Sequence, residues 1–157
     1  MNLADIKRKP VVSMADGTKI GEVDDLVIDV VGWTVREVVV AEKTVHGILP
    51  LSHFKGVGKD AVTVENRDTT AWNGKASGLL FEDFKKLHVV DGSGTVIGHA
   101  TDLTYEPSGT IASFEVRQGG VFGIGAHVHV VSPSQVRGVG DKIVTVEIQT
   151  SSPEASV

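Results

Sequence analysis

The chain repeats one stretch, Asp16-Gly17-Thr18-Lys19-Ile20-Gly21-Glu22-Val23-Asp24-Asp25-Leu26, as Ser93-Gly94-Thr95-Val96-Ile97-Gly98-His99-Ala100-Thr101-Asp102-Leu103. Gly, Thr, Ile, Gly, Asp and Leu recur at identical spacing in the two copies. Each copy places a turn glycine before an apolar run, which is typical of a β-hairpin turn followed by its return strand. Recurrence at fixed spacing indicates an internal duplication.

A second block recurs in the same order along the chain. It is first Lys55-Gly56-Val57-Gly58-Lys59-Asp60-Ala61-Val62-Thr63-Val64 and later Arg137-Gly138-Val139-Gly140-Asp141-Lys142-Ile143-Val144-Thr145-Val146. Two blocks in the same order predict one ancestral unit present twice. We therefore divide the chain into a first repeat (1–64), a connector (65–81), a second repeat (82–147) and a flexible tail (148–157), which has little to bury.

Composition and local pattern both favour an all-β fold. The 157 residues include 18 glycines, whereas aromatic residues make up only 5%, and valine dominates the apolar residues. Glycine supplies tight turns and valine suits a pleated, half-buried surface. Turn signals divide each repeat into roughly five or six short strands, and this number of strands in so short a segment is typical of a small barrel. Ser52–Lys55 and Phe81–Leu87 are the predicted helical turns, so we expect little helix.

Composition also excludes several classes of protein. The chain has no cysteine, which removes disulfide scaffolds, thiolate metal sites and cysteine nucleophiles. A net charge of −5 argues against nucleic-acid binding through phosphate neutralisation. No apolar run approaches the ~20 residues of a membrane span, and no apolar segment of a signal peptide follows the basic residues 7–9. We expect a cytoplasmic protein without membrane insertion.

The motifs that could bind a cofactor or catalyse a reaction have simpler structural explanations. Gly56–Ala61 matches the letters of a dinucleotide fingerprint, but a strand follows where that motif requires a helix. Asp24 and Asp25 are adjacent on a strand, so they face opposite ways and cannot act on one substrate together. Asp25 recurs as Asp102, which predicts a hydrogen-bonding role in a turn or bulge. With no nucleophile elbow in the chain, we predict no enzyme, no catalytic residues and no cofactor.

Two histidines are the metal-ligand candidates. His127 and His129 would share one face of a strand, which is a workable ligand spacing. A closed site needs two further ligands, and nothing in the sequence places His99 or Asp102 nearby. We therefore expect histidines on the surface or at a barrel mouth, and no bound metal.

Two tryptophans are candidate interface residues, Trp33 at a hairpin tip and Trp72 in the connector. The alternative is that they cover the seam between the repeats. We favour the seam for Trp33 and leave Trp72 open.

The stretch from Lys9-Pro10-Val11-Val12 through Asp16–Leu26 resembles the start of a PRC-barrel domain. This family is named after the H subunit of the photosynthetic reaction centre. The stretch Ile48-Leu49-Pro50-Leu51-Ser52-His53-Phe54, with the block after it, resembles the closing strands. Gly119-Gly120-Val121-Phe122-Gly123-Ile124-Gly125 is similar to a glycine-rich hairpin of many members. The resemblance implies two tandem small β-barrels that act by docking, and it carries over no catalytic residue.

Eleven residues form the structural signature of the repeats. They are Gly17, Gly21, Asp25, Pro50, Gly56, Gly58, Gly94, Gly98, Asp102, Gly138 and Gly140.

Our leading hypothesis is a non-enzymatic docking or assembly module with a protein partner of unknown identity. Affinity would come from apolar area and main-chain pairing at strand edges. We also expect the two barrels to pack about a pseudo-twofold axis, as in a dimer of single domains, and homo-oligomerisation stays open. The alternatives are a small-ligand or metal-binding barrel and, by fold analogy with a ribosome-maturation factor, an accessory factor in RNA processing.

Overall fold

The computed structural model describes residues 1–118 and 127–148. The chain forms two compact units. Unit 1 comprises Met1–Phe81 together with Tyr105–Thr110, and unit 2 comprises Glu82–Thr104 and the chain from Ile111 onward. Both units are built mainly of strands, which confirms the tandem all-β prediction. The pseudo-twofold packing stays a prediction. The glycine-rich segment 119–125, for which the resemblance predicts a hairpin, and the predicted flexible tail from residue 149 onward lie outside the described residues.

Unit 1 is one curled sheet in the order β5-β6-β1-β2-β3-β4-β7, and β8 pairs with β2. All its pairs are antiparallel except the parallel pair of β1 with β6. Its strands are β1 Pro10–Ser13, β2 Lys19–Asp29, β3 Thr34–Glu42, β4 Val45–Pro50, β5 Phe54–Val57, β6 Val62–Val64, β7 Ala71–Trp72 and β8 Leu79–Leu80. Its helical turns are α1 Leu3–Ile6 and the 3-10 turns Leu51–His53 and Arg67–Thr69.

Unit 2 repeats the first six strands of that sheet in the order β12-β11-β10-β9-β14-β13. Strand β14 pairs with β9 in parallel, as β6 does with β1. Its strands are β9 His88–Val90, β10 Val96–Tyr105, β11 Ile111–Gln118, β12 His127–Val131, β13 Val136–Val139 and β14 Ile143–Val146. A 3-10 turn at Pro133–Gln135 follows β12, and the helical turn α2 Phe81–Phe84 precedes β9. The shared strand order and the shared parallel pair establish the duplication in three dimensions.

A glycine in each copy lets the sheet curl where its second strand meets the third. The pairing register with the first strand shifts beside Gly21 in β2 and beside Gly98 in β10. A Cβ atom at Gly21 would lie 2.6 Å from Val40 Cγ1 and 2.7 Å from the Ala41 carbonyl oxygen. A Cβ at Gly98 would collide with the backbone of Arg117 on β11. The glycines therefore permit an approach between strands that a side chain would block.

The recurring aspartates make the same contact in both units. Asp25 Oδ1 accepts a hydrogen bond of 2.8 Å from the Leu26 N–H, and Asp102 Oδ1 accepts one of 2.7 Å from the Leu103 N–H. Asp25 lies at a second register shift of β2, against β3. A carboxylate next to an irregular point of the ladder supplies an acceptor that regular pairing does not.

The core of each unit lies on the concave face of its sheet. In unit 1 the large fully buried side chains are mostly aliphatic, and Phe81 at the end of the connector is also fully buried. The aliphatic ones include Ile6, Val11, Ile20, Val23, Leu26, Ile28 and Leu49. Unit 2 also uses phenylalanine. The rings of Phe84 and Phe114 meet edge to face at 5.3 Å between centroids. Phe114 pairs with Val131 as Val38 pairs with Leu49 in unit 1, so the two copies fill equivalent space with different side chains. Among the described residues no helix is long and apolar enough to cross a bilayer.

Gly21→Ala should lower the free energy of unfolding by about 1–3 kcal/mol, because its methyl group would displace Val40 or the Ala41 carbonyl in a packed sheet. The matched control is Gly92→Ala, where a Cβ would meet nothing within 4 Å and the change should stay within about 0.5 kcal/mol. Urea unfolding measures both. Equal stability of the two variants would contradict the close approach at Gly21.

Candidate functional site

The two units differ most at the outer edge of β4 and of its counterpart β12. In unit 1 this edge is occupied, because β7 pairs antiparallel with β4 at Gly47↔Trp72 and Ile48↔Ala71. In unit 2, β12 pairs with β11 along its whole length. No strand within residues 1–118 and 127–148 occupies its other edge. Equivalent strands thus end the sheet in one unit and continue it in the other.

The connector (65–81) forms part of unit 1. It supplies β7 and β8, which pair with β4 and β2. Between these strands it crosses the convex face of the sheet, where Ala76 and Leu80 pack against Val27, Val39 and Ile48. These three side chains point away from the barrel core, so unit 1 buries apolar residues on both faces of its sheet.

An ion pair holds the start of the connector. Arg67 donates hydrogen bonds of 3.1 and 2.8 Å to the two carboxylate oxygens of Glu42 at the end of β3. These bonds lower the pKa of Glu42 and raise the pKa of Arg67. The Arg67 guanidinium also lies 4.3 Å from the centre of the Trp72 ring, a cation–π contact. The planar guanidinium suits both the paired oxygens and the aromatic face.

The tryptophan of β7 lies against a glycine of β4. A Cβ at Gly47 would be 2.9 Å from Trp72 Cε3, so the indole occupies the space that a side chain would need. The Trp72 Nε1 and the neighbouring Thr70 Oγ1 are buried, and neither has a hydrogen-bond partner among the described residues. Trp72, a predicted interface candidate, therefore packs within unit 1. Trp33 is half-buried and begins the return to β3 with a positive φ of 53°.

A nearly buried carboxylate holds the end of the connector. Glu37, 9% exposed, accepts hydrogen bonds of 2.7 Å from the Ser77 N–H and 2.8 Å from the Ser77 hydroxyl. Without the connector this carboxylate would stand in an apolar surface with neither bond. Burial of a charge without hydrogen bonds is costly, so Glu37 favours the covered state.

The corresponding face of unit 2 is exposed. The register of β11 with β12 places Val130 where Ile48 lies and Glu115 where Val39 lies. Val130 is 67% exposed and Val128 is 48% exposed. Glu115 is engaged on the surface by the Thr101 hydroxyl at 2.9 Å and by Arg117 Nε at 2.8 Å. The result is a strand with two exposed valines next to a polar surface.

The opposite end of each sheet is protected in the same way. Edge strands β5 and β13 both contain a register shift, beside Lys55 and beside Arg137. Each cation forms an ion pair, Lys55 with Glu65 at 2.9 Å and Arg137 with Glu147 at 3.0 Å. Irregular pairing and charge are the features by which natural sheets prevent edge-to-edge association. Strand β12 has neither, because its register is continuous and it contains no Lys, Arg, Asp, Glu or Pro.

The histidine candidates lie on this same strand. His127 is exposed and His129 is half-buried, and both alternate with the exposed valines. Their strand neighbours on β11 are Gln118 and Val116, which are not metal ligands. Among the described residues no group of three or more His, Asp or Glu side chains could hold a metal ion. His99 instead lies 3.1 Å from the Leu87 carbonyl oxygen.

The signature residues are found in turns, bulges and strand ends. Gly17 and Gly94 adopt positive φ in the first hairpin of each unit. Thr63 donates a hydrogen bond to the Gly56 carbonyl, and Thr145 makes the equivalent bond to Gly138. Pro50 ends β4. The N–H of Gly58 closes the turn between β5 and β6, and the N–H of Gly140 closes the equivalent turn between β13 and β14.

Unit 1 also has a surface cavity of about 290 Å³. Its lining is mostly apolar and consists of Met1, Leu51, Phe54, Lys55, Gly56, Val57, Tyr105 and Pro107. Lys55 is bound to Glu65. The hydroxyl of Tyr105 donates a hydrogen bond to the Met1 sulfur, and burial raises the pKa of Tyr105 to about 12. The cavity has no cluster of polar groups that would orient a ligand.

The fold described above is a small curled β-sheet unit present twice, with structural glycines and aspartates in equivalent places. The family model of the PRC-barrel domain matches residues 1–70 and 78–151. The matches span most of the chain, and the chain belongs to the PRC-barrel domain family. No curated protein sequence matches the chain at a significant level.

Glu37→Ala should lower the free energy of unfolding by about 1–3 kcal/mol, because the Ser77 N–H and hydroxyl lose their acceptor. Glu37→Gln retains an acceptor oxygen in the same place, so its free energy of unfolding should fall clearly less than that of the alanine variant. Urea unfolding followed by tryptophan fluorescence measures both. An alanine variant as stable as the wild type would show that Glu37 does not hold the connector.

Tyr105 is the only tyrosine of the chain, so absorbance near the phenolate band reports its ionisation alone. The folded protein should titrate at a pKa of about 12, against 10.0 for an ordinary tyrosine. Because the folded state holds this proton more tightly than the unfolded state, the contribution of Tyr105 to stability is constant below pH 10 and falls as the pH rises toward 12. The urea-unfolded chain is the control. Identical titration of the folded and unfolded chains would contradict the burial of the phenol.

Proposed function

We propose that this PRC-barrel protein is a non-enzymatic docking or assembly module, and that it binds its partner along the open edge of β12. The observation behind this proposal is the difference between β4 and β12. The chain covers the first of two equivalent edges with its own connector and leaves the second without a strand in the part of the chain that the structure describes.

The open edge has the chemistry that strand addition requires. A strand edge offers a row of N–H and C=O groups, and an added strand satisfies them with main-chain hydrogen bonds. Val128 and Val130 lie beside that edge on the convex face and supply apolar area. Main-chain pairing gives affinity, and the side chains that alternate along the edge give specificity.

Unit 1 illustrates the mode of binding. There β7 pairs antiparallel with β4 over two residues, and the segment after it covers the convex face. A partner at β12 would provide an antiparallel strand and would cover Val130, the counterpart of Ile48. Strand β12 is already paired with β11 along its whole length, so little ordering of this side is required on binding.

The proposal is tested by affinity capture from a lysate of the organism that encodes the chain, with three immobilised proteins. These are the wild type, Val130→Lys, and the matched control Val31→Lys. Val31 is 91% exposed and lies in the turn between β2 and β3. We expect bound proteins to be retained by the wild type and by the control, and to be lost from Val130→Lys, because a lysine charge opposes edge pairing. The same proteins on all three columns would contradict docking at β12.

A further inference from the structure

We propose that the partner strand at the open edge of β12 is β12 of a second copy of this chain, paired antiparallel about a twofold axis at His129. This inference rests on the proposed function, since it names an occupant for the same edge. It is supported by the residue pattern of β12, by the absence of protective features there, and by the form of the contact in unit 1.

The sequence of β12 is complementary to itself. It reads His127-Val128-His129-Val130-Val131. Antiparallel pairing centred on His129 places Val128 of one copy opposite Val130 of the other, and does so twice because of the twofold axis. Directly opposed side chains in an antiparallel pair have Cβ atoms roughly 4.5–5.5 Å apart. The four exposed valines of two copies would therefore bury one another.

No charge opposes this pairing when the histidines are neutral. The strand contains no Lys, Arg, Asp or Glu, and its pairing with β11 has no bulge that would twist the edge away. The other exposed edges, β5 and β13, have a bulge and a cation each. The bulges and cations thus disfavour association at β5 and β13, whereas β12 has neither a bulge nor a cation.

The rest of the surface agrees with a small and reversible contact. Glu115 and Arg117 lie next to β12 on β11 and are bound to each other at 2.8 Å, so this neighbouring surface is polar. Beside this polar surface, the exposed apolar side chains of β12 are Val128 and Val130. A five-residue strand is far smaller than the roughly 20–30 residues a side of a standard interface. We therefore expect a weak dimer that forms only at high protein concentration.

Sedimentation velocity over a concentration series tests the self-association. The wild type should change from the 16.6 kDa monomer toward a dimer between about 10 µM and 1 mM. Val130→Lys should weaken the dimer at least about tenfold, because the substitution counts twice across a twofold axis. Val31→Lys introduces the same charge at an exposed valine in the turn between β2 and β3, and it should leave the dimer affinity unchanged.

A cysteine substitution tests the register. The chain has no cysteine, so His129→Cys introduces a single thiol on the proposed axis. Opposed residues of an antiparallel pair have Cα atoms roughly 4.5–5.5 Å apart, which a disulfide can bridge. Mild oxidation should therefore give a covalent dimer rapidly for His129→Cys and only slowly for the exposed control Val31→Cys. A dimer in sedimentation whose His129→Cys variant cross-links no faster than this control would overturn pairing at β12.

The outcomes separate this inference from the proposed function. A wild type that stays monomeric throughout the series overturns self-pairing. If lysate proteins are still lost from Val130→Lys, docking at β12 stands with a different partner. If the chain is monomeric and no bound protein depends on Val130, both proposals fail.

Discussion

The curl of each sheet depends on a backbone approach that only glycine allows. At Gly21 and at Gly98 the second strand bends so closely toward the third that a methyl group would meet backbone atoms. The neighbouring register shifts bring Ile20 and Ile97 into the core, and both are almost completely buried. The concave face, the core on it and the position of both sheet edges all follow from this bend.

A curled sheet of six strands has a convex face that can be covered and two edges that can be paired or protected. The two copies differ in how they cover the face and one of the edges. Both protect the β5 or β13 edge with a bulge and an ion-paired cation. At the other edge, unit 1 adds β7 and covers Val27, Val39 and Ile48 with its connector. Unit 2 has Glu115 and exposed Val130 in the corresponding places. One copy of the duplicated sheet thus extends itself with the connector, and in the other no strand of the described residues pairs with the outer edge of β12.

The pattern of apolar residues in β3 already indicated that unit 1 buries both faces of its sheet. Alternating strands normally separate apolar and polar faces, yet Val38, Val39 and Val40 follow one another. The structure explains the run, since Val38 and Val40 face the core and Val39 lies beneath the connector. Glu37 has a similar explanation, because Ser77 satisfies its carboxylate from across the convex face. The sequence predicted helical turns near Leu51 and Phe81 but missed α1 at Leu3–Ile6, where a single turn is too short to show a helical period.

The amino-acid sequence by itself determined the duplication, the all-β class and the family, because glycines and apolar runs at fixed spacing specify turns and strands locally. Only the tertiary structure decided that the connector belongs to the sheet of unit 1. The residues that hold it, Glu42 with Arg67 and Glu37 with Ser77, are far apart along the chain. The sequence equally did not reveal that no strand within 1–118 and 127–148 pairs with the outer edge of β12, since whether a strand has a neighbour depends on where distant segments fold and not on its own five residues.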